Sequence, residues 1–172
     1  EELRRRVPGI SLRTTFIVGF PGETEEDLAE LLGFVKEAGF DHLGVFTYSH
    51  EPGTGAHDLP DRLTQAAKEE RRGRVMELQQ SISLSRYRER IGSTLDVLVD
   101  AGPDEPDGPW RARAEFQAPD IDGSVLVRTR RELSIGEFLR VKVTGAAPYD
   151  LLASPVASAA ARPRARRSAS SA

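Results

Sequence analysis

Hydrophobic and polar positions follow three rhythms along this chain, and each change of rhythm marks a boundary. Residues 12–19, LRTTFIVG, make a β-branched, apolar run of the kind that builds a strand buried on both faces of a parallel sheet. The run stops at Gly-Phe-Pro-Gly (19–22), where Gly19 and Gly22 permit tight geometry and Pro21 fixes φ and removes a ladder donor. Thr24 then reads as an N-cap, with Asp27 three residues on as a weaker form of the capping box. Glu23, Glu25, Glu26 and Asp27 crowd the first turn, where the helix dipole favours negative charge. Leu28, Leu31, Leu32, Val35 and Ala38 recur at helical spacing, and Gly39 closes the helix. A second apolar run, HLGVFTYS (42–49), follows at once. The pattern predicts a β–α–β unit with parallel strands and a right-handed crossover.

Residues 50–63, HEPGTGAHDLPDRL, are loop by composition. From Thr64 to Ile91 the pattern is helical, with Val75, Leu78, Ile82 and Ser85 spaced for one buried stripe and charges elsewhere. Gly73 weakens this helix locally and Gly92 stops it. Beyond Gly92 the period becomes two. TLDVLVD (94–100), WRARAEF (110–116), SVLVRT (124–129), EFLRVKVTGA (137–146) and YDLL (149–152) predict five short strands, separated by Gly/Asp/Pro turns, and thus a small OB-like β-barrel. From Ser154 onward Ala, Ser, Pro and Arg dominate without periodicity, which predicts disorder.

Composition narrows the possible chemistry. The 172 residues contain no cysteine, so the chain supplies no disulfide and no thiolate ligand for zinc or an iron–sulfur cluster. No apolar run approaches the length of a membrane span, which argues against a membrane partner. The net charge of −3 is uneven. Residues 1–90 hold 13 Lys/Arg against 16 Asp/Glu, residues 91–153 hold 7 against 11, and residues 154–172 hold four arginines and no acid.

Several side chains carry more than one reading. The 16–24 corner is either a ligand-binding strand–turn–helix edge or only a turn. His42, His50 and His57 match no metal-ligand spacing, and no metal site is expected. KEERRGR (68–74) reads as a solvated face laced with i,i+4 pairs, and Arg4–Arg6 as solvated charge. Trp110, beside Arg111 and Arg113, could stack a base or grip a peptide, or could pack at the barrel rim. The RPRARR tail (162–167) could touch rRNA or be a bare end.

LRTTFIVGFPGETEEDL (12–28), LGVFTYSHEPGTGAHDL (43–59) and the later APDIDG (118–123) and YDL (149–151) together resemble the C-terminal part of the radical-SAM methylthiotransferases. The resemblance covers nearly all of the chain to about residue 153. Thr14-Thr15-Phe16 before IVGFPGE, and GVFTYS at 44–49, are similar to the ribosomal-protein-modifying, RimO-like branch rather than the tRNA-modifying, MiaB-like one. The acidic balance of residues 91–153 suits a basic protein partner better than RNA.

The resemblance implies an α/β part followed by an all-β part. Residues 1–63 would be the end of a radical-SAM partial (β/α) barrel, 64–90 a linker helix, 91–153 a TRAM domain, and 154–172 a disordered tail. It implies an enzyme that methylthiolates an aspartate of ribosomal protein S twelve, in the cytoplasm and as a monomer, using S-adenosylmethionine and two 4Fe-4S clusters. The cluster cysteines of that family, including its CxxxCxxC, are absent here. The chain is therefore expected to be a truncated product, inactive alone and without catalytic residues of its own. Arg13, Thr15, Gly19, Gly22 and Glu23 would lie near the ribose or methionine end of S-adenosylmethionine, and Phe46, Thr47 and Tyr48 near its adenine. Phe46 as core and Glu23 as a plain first-turn acid are the structural readings of the same residues. Trp110, Arg111 and Arg113 are the candidates for binding the substrate, ribosomal protein S twelve or the small subunit. The alternatives are a MiaB-like fragment acting on tRNA and a stand-alone TRAM module binding tRNA or rRNA.

Overall fold

The computed structural model describes residues 2–60 and 63–156. A short helix α1 (Glu2–Arg6) leads into strand β1 (Arg13–Val18), helix α2 (Glu25–Ala38) and strand β2 (His42–Thr47). The strands pair parallel and in step, from Arg13 opposite His42 to Val18 opposite Thr47. Helix α2 begins as its sequence dictates. The Thr24 hydroxyl accepts from the Asp27 amide, and the Asp27 carboxylate accepts from the Thr24 amide at 2.8 Å, completing the capping box. At the other end Gly39 takes up the left-handed conformation.

One face of the two-stranded sheet is covered and the other is bare. Val18, Leu43 and Val45 pack with Leu28 and Val35 of α2 and with Val75 of helix α3 (Gln65–Glu89). On the opposite face Ile17 is 60% exposed and its register partner Phe46 is 65% exposed. The expectation of a strand buried on both faces therefore fails: exposure alternates along β1, because α2 and α3 lie on the same side.

Helix α3 is held by a stripe the sequence hid. Its buried positions are Lys68, Arg71, Val75, Gln79, Ser83 and Tyr87, a near-perfect stride of four, whereas the predicted Ser85 is exposed. The reading of KEERRGR as wholly solvated fails for the same reason. Lys68 and Arg71 are each 4% exposed, while Arg72 and Arg74 make the expected surface pairs with Glu69 and Glu70. Arg4 is not plain solvated charge either. It donates to the carbonyls of Ala38 and Gly39 at 2.7 Å and so caps the α2 C-terminus.

Beyond Gly92 five strands close into a barrel: β3 (Thr94–Ala101), β4 (Trp110–Ala114), β5 (Val125–Val127), β6 (Phe138–Ala146) and β7 (Leu151–Pro155). Their order is β3-β4-β5-β7-β6, with β6 returning to pair with β3 and with β5 and β7 parallel. Period-two alternation sends Val97, Val99, Ala112, Ala114, Val125, Val127, Val141, Val143, Leu151 and Ala153 inward. Tyr87 of α3 and Leu133 join this core. Ser154 and Pro155, expected to be disordered, pair with Lys142 and Val141 as the end of β7. The rest of the expected tail, from residue 157, lies outside the described residues.

Candidate functional site

The C-terminal edge of the β1–β2 pair gathers most of the predicted residues. Gly19 leaves β1 at φ +76°, a conformation costly for any residue with a Cβ, and an added Cβ would meet Lys68 Cγ at 2.5 Å. Glycine is required here twice over. The Glu23 carboxylate reaches back to accept the Gly19 amide at 2.9 Å and also receives the buried Arg71 guanidinium. Arg71 further reaches Glu25 at 2.7 Å. Burial alone would make Arg71 release its proton more easily, but the bonds from Glu23 and Glu25 outweigh that and hold it charged. This turn is thus braced from behind, and its amide is spent internally. It is no open phosphate cradle.

Tyr48 continues the strand ladder with a 2.8 Å bond from its amide to the Val18 carbonyl. Its ring meets Phe20 edge-on at 5.3 Å, and the Lys68 ammonium lies 5.0 Å above it. The Lys68 ammonium also donates to the Tyr48 carbonyl at 3.3 Å. Beyond, His50 and His57 stack with ring centres 4.6 Å apart, and the Tyr48 hydroxyl is 3.4 Å from His50 Nδ1. Among the described residues no cluster of three or more His, Cys, Asp or Glu suited to a metal ion occurs.

The structure sorts the predicted residues into groups. Thr15 and Phe46 share the bare face with Ile17, while Tyr48 follows the end of β2 with its ring against Phe20 and Lys68. Gly19 and Gly22 shape the turn at the same edge, with open space where a Gly22 Cβ would go. Thr47 shares register with Val18 and belongs to the helix-covered face. Glu23 is committed to Gly19 and Arg71. Arg13 stands at the opposite end of β1, roughly 20 Å from the turn by strand rise, and pairs with Asp122 of the barrel. Arg13 does not join the others.

On the barrel the three predicted residues also separate. Trp110 packs partly into the barrel core and borders an open cleft with Arg128, Arg130 and Arg131. Arg113 pairs with Asp100 and lines a different cleft of about 460 Å³, floored by Phe116 and Phe138. Arg111 points outward toward Asp104 at 3.8 Å. Sequence reasoning missed Lys68, Arg71, Phe20, His42 and Asp122. The stride of four from Arg71 to Tyr87 was the signal for α3; Asp122 carried none, since its partners are about 80 and 110 residues away in sequence.

Residues 91–156 match the family described as the TRAM domain. The chain is 47% identical over 152 residues to the ribosomal protein uS12 methylthiotransferase RimO of Desulforamulus reducens, covering 88% of this chain and 34% of that one. It is 49% identical over 150 residues to that of Pelotomaculum thermopropionicum, covering 87% and 34%, and 50% identical over 153 residues to that of Opitutus terrae, covering 89% and 31%. The chain spans about a third of the length of these curated relatives. It carries a TRAM domain, and over nearly nine-tenths of its length it is similar to the RimO methylthiotransferases.

Proposed function

We propose that this chain supplies one wall of the S-adenosylmethionine cleft and the TRAM substrate-binding module of an enzyme that methylthiolates an aspartate of ribosomal protein uS12. The observation that carries the reading is the bare apolar face of the β1–β2 pair, in a chain similar to RimO proteins of which it spans a third. A parallel sheet normally has both faces covered. Here one face keeps Ile17 and Phe46 in solvent, which fits the inner wall of a partial (β/α) barrel whose other strands lie elsewhere.

In this reading residues 1–63 belong to the barrel, 64–90 to a linking helix and 91–153 to the TRAM domain. The residues present fit S-adenosylmethionine in part. Phe46 offers an exposed ring for the adenine, Thr15 shares its face, Tyr48 stands just beyond at the strand end, and Gly22 leaves room for a close approach. Glu23 and Arg71 hold the turn from behind, a supporting rather than a contacting role. When bound in such an enzyme, S-adenosylmethionine supplies the radical and the methyl group. The 4Fe-4S clusters do not fit this chain, which has no cysteine to ligate them, and the chain alone is expected to be inactive. Phe138, Phe116 and Arg113 offer the barrel cleft that suits a peptide of the substrate protein.

The test is to fuse this chain behind the remaining two-thirds of the D. reducens relative, reconstitute the iron–sulfur clusters anaerobically, and follow uS12 by mass spectrometry. A gain of one methylthio group on an aspartate supports the reading; unmodified uS12 beside an active parent enzyme contradicts it.

One observation favours a second reading, an RNA-binding TRAM module. Among the described residues the Arg128 and Arg130 side chains have no carboxylate partner, and both border the Trp110 cleft. Binding of tRNA or rRNA by residues 91–156 that falls steeply with salt would support it.

A further inference from the structure

Lys68 carries its charge into the interior. It sits in the first turns of α3 and is 4% exposed, and a charge is tolerated at such depth only where acceptors receive it. Its ammonium donates to the Tyr48 carbonyl at 3.3 Å and lies 5.0 Å from the centre of the Tyr48 ring. Its stem lies over Gly19, where an added Cβ would meet Lys68 Cγ at 2.5 Å. One side chain therefore touches the residue that follows each strand, Gly19 after β1 and Tyr48 after β2.

The contact with Tyr48 fixes the last peptide of the edge. The Tyr48 amide donates to the Val18 carbonyl at 2.8 Å, as the final rung between the two strands. The Tyr48 carbonyl lies past the ladder, and Lys68 takes it. A trans peptide points its C=O and its N–H in opposite directions, so the Ser49 amide is turned away from Lys68. Among the described residues that amide finds no acceptor. Arg71 does for the other strand end what Lys68 does here, through Glu23 and the Gly19 amide.

We propose that Lys68 is a positioning residue of the cofactor edge: by holding the Tyr48 carbonyl it keeps the Tyr48 ring and the Ser49 N–H set for S-adenosylmethionine. This deepens the reading of the β1–β2 pair as one wall of that cleft, and rests on it. At 4% exposure Lys68 has almost no surface to offer a ligand. It acts through Tyr48 and Ser49.

Lys68→Met keeps a stem over Gly19 and removes the donor. In the chain alone, with the fold checked by its amide spectrum, carbonyl and amide NMR should show the Tyr48 carbonyl and Ser49 amide signals moving while those of the barrel core stay in place. In the fusion to the remaining two-thirds of the D. reducens relative, affinity for S-adenosylmethionine by equilibrium dialysis should fall about tenfold, the size of one charge-assisted hydrogen bond. The KM for S-adenosylmethionine should rise in step, with kcat at saturating cofactor and the KM for uS12 unchanged. Val75→Ala weakens the same core away from the edge. It should lower the denaturation midpoint and leave the affinity alone, which separates positioning from stability.

A Lys68→Met fusion that binds S-adenosylmethionine as tightly as its parent would overturn the proposal. So would unmoved Tyr48 and Ser49 signals, or an equal loss of affinity in Val75→Ala. A parent fusion that binds S-adenosylmethionine but leaves uS12 unmodified contradicts the enzyme reading alone, and the dialysis still decides the role of Lys68. A parent that binds none overturns both.

Discussion

The barrel and the β–α–β unit face the same difficulty, a sheet with two faces and two edges, and meet it differently. In the barrel β6 returns to β3, so no edge is left, and the inward face fills itself with Val125, Val127, Val141 and Leu151, each with no exposed surface. In the β–α–β unit only two strands pair, both outer edges are unpaired within the described residues, and one apolar face meets solvent. The comparison teaches that the barrel closes its own sheet and takes Tyr87 of α3 into its core, whereas the β1–β2 sheet leaves one face and both outer edges open within the described residues.

The largest effect expected from this difference is on separate expression. Residues 91–156 alone should unfold cooperatively by circular dichroism and calorimetry, and residues 1–90 alone should aggregate or show no cooperative transition. A well-behaved 1–90 fragment would break the contrast. Next come core truncations, which should act on one half at a time. Leu28→Ala should cost about 3 kcal/mol in the β–α–β unit and Leu151→Ala a similar amount in the barrel, read as separate movements of two denaturant transitions.

Arg71→Met should cost about 3 kcal/mol in the first half, because it leaves the largely buried Glu23 carboxylate without its cation, with only the Gly19 amide to hold it; Glu23→Gln combined with it should recover part of the loss. The smallest effect is at the α2 cap. Thr24→Ala should cost about 1 kcal/mol. The Thr24 amide and hydroxyl hold the Asp27 carboxyl below its ordinary range. Its contribution is therefore present above the unfolded-state value and lost as pH falls through the folded one. Acid titration of the first-half transition should show this in the parent chain and not in Asp27→Ala.

Local chemistry carried much of this architecture in plain view. Thr24 and Asp27 announced the helix start, the Gly-Phe-Pro-Gly turn announced the strand end, and period-two alternation announced each barrel strand. What stayed hidden was set by distant partners. Helix α3 shows little apolar periodicity because it buries Lys68, Arg71, Gln79 and Ser83, which become acceptable inside through bonds of Lys68 to Tyr48, of Arg71 to Glu23 and Glu25, and of Gln79 to Phe40 and Ser83. The bare face of β1 was hidden for the opposite reason: an apolar run looks the same whether or not its second cover is present. At the candidate site the motif alone put Arg13 beside Thr15 and Thr47 beside Phe46; the register separates Thr47 from Phe46 onto opposite faces, and nothing local revealed that Arg13 pairs with the distant Asp122.

The most direct measurement of the central claim uses the absence of cysteine. Phe46→Cys gives this chain a single thiol on the bare face, whose maleimide labelling can be timed by peptide mapping, alone and within the fusion to the D. reducens two-thirds. The account predicts rapid labelling in the chain alone and strong protection in the fusion, deepened by S-adenosylmethionine. Equal labelling rates in the two would contradict it.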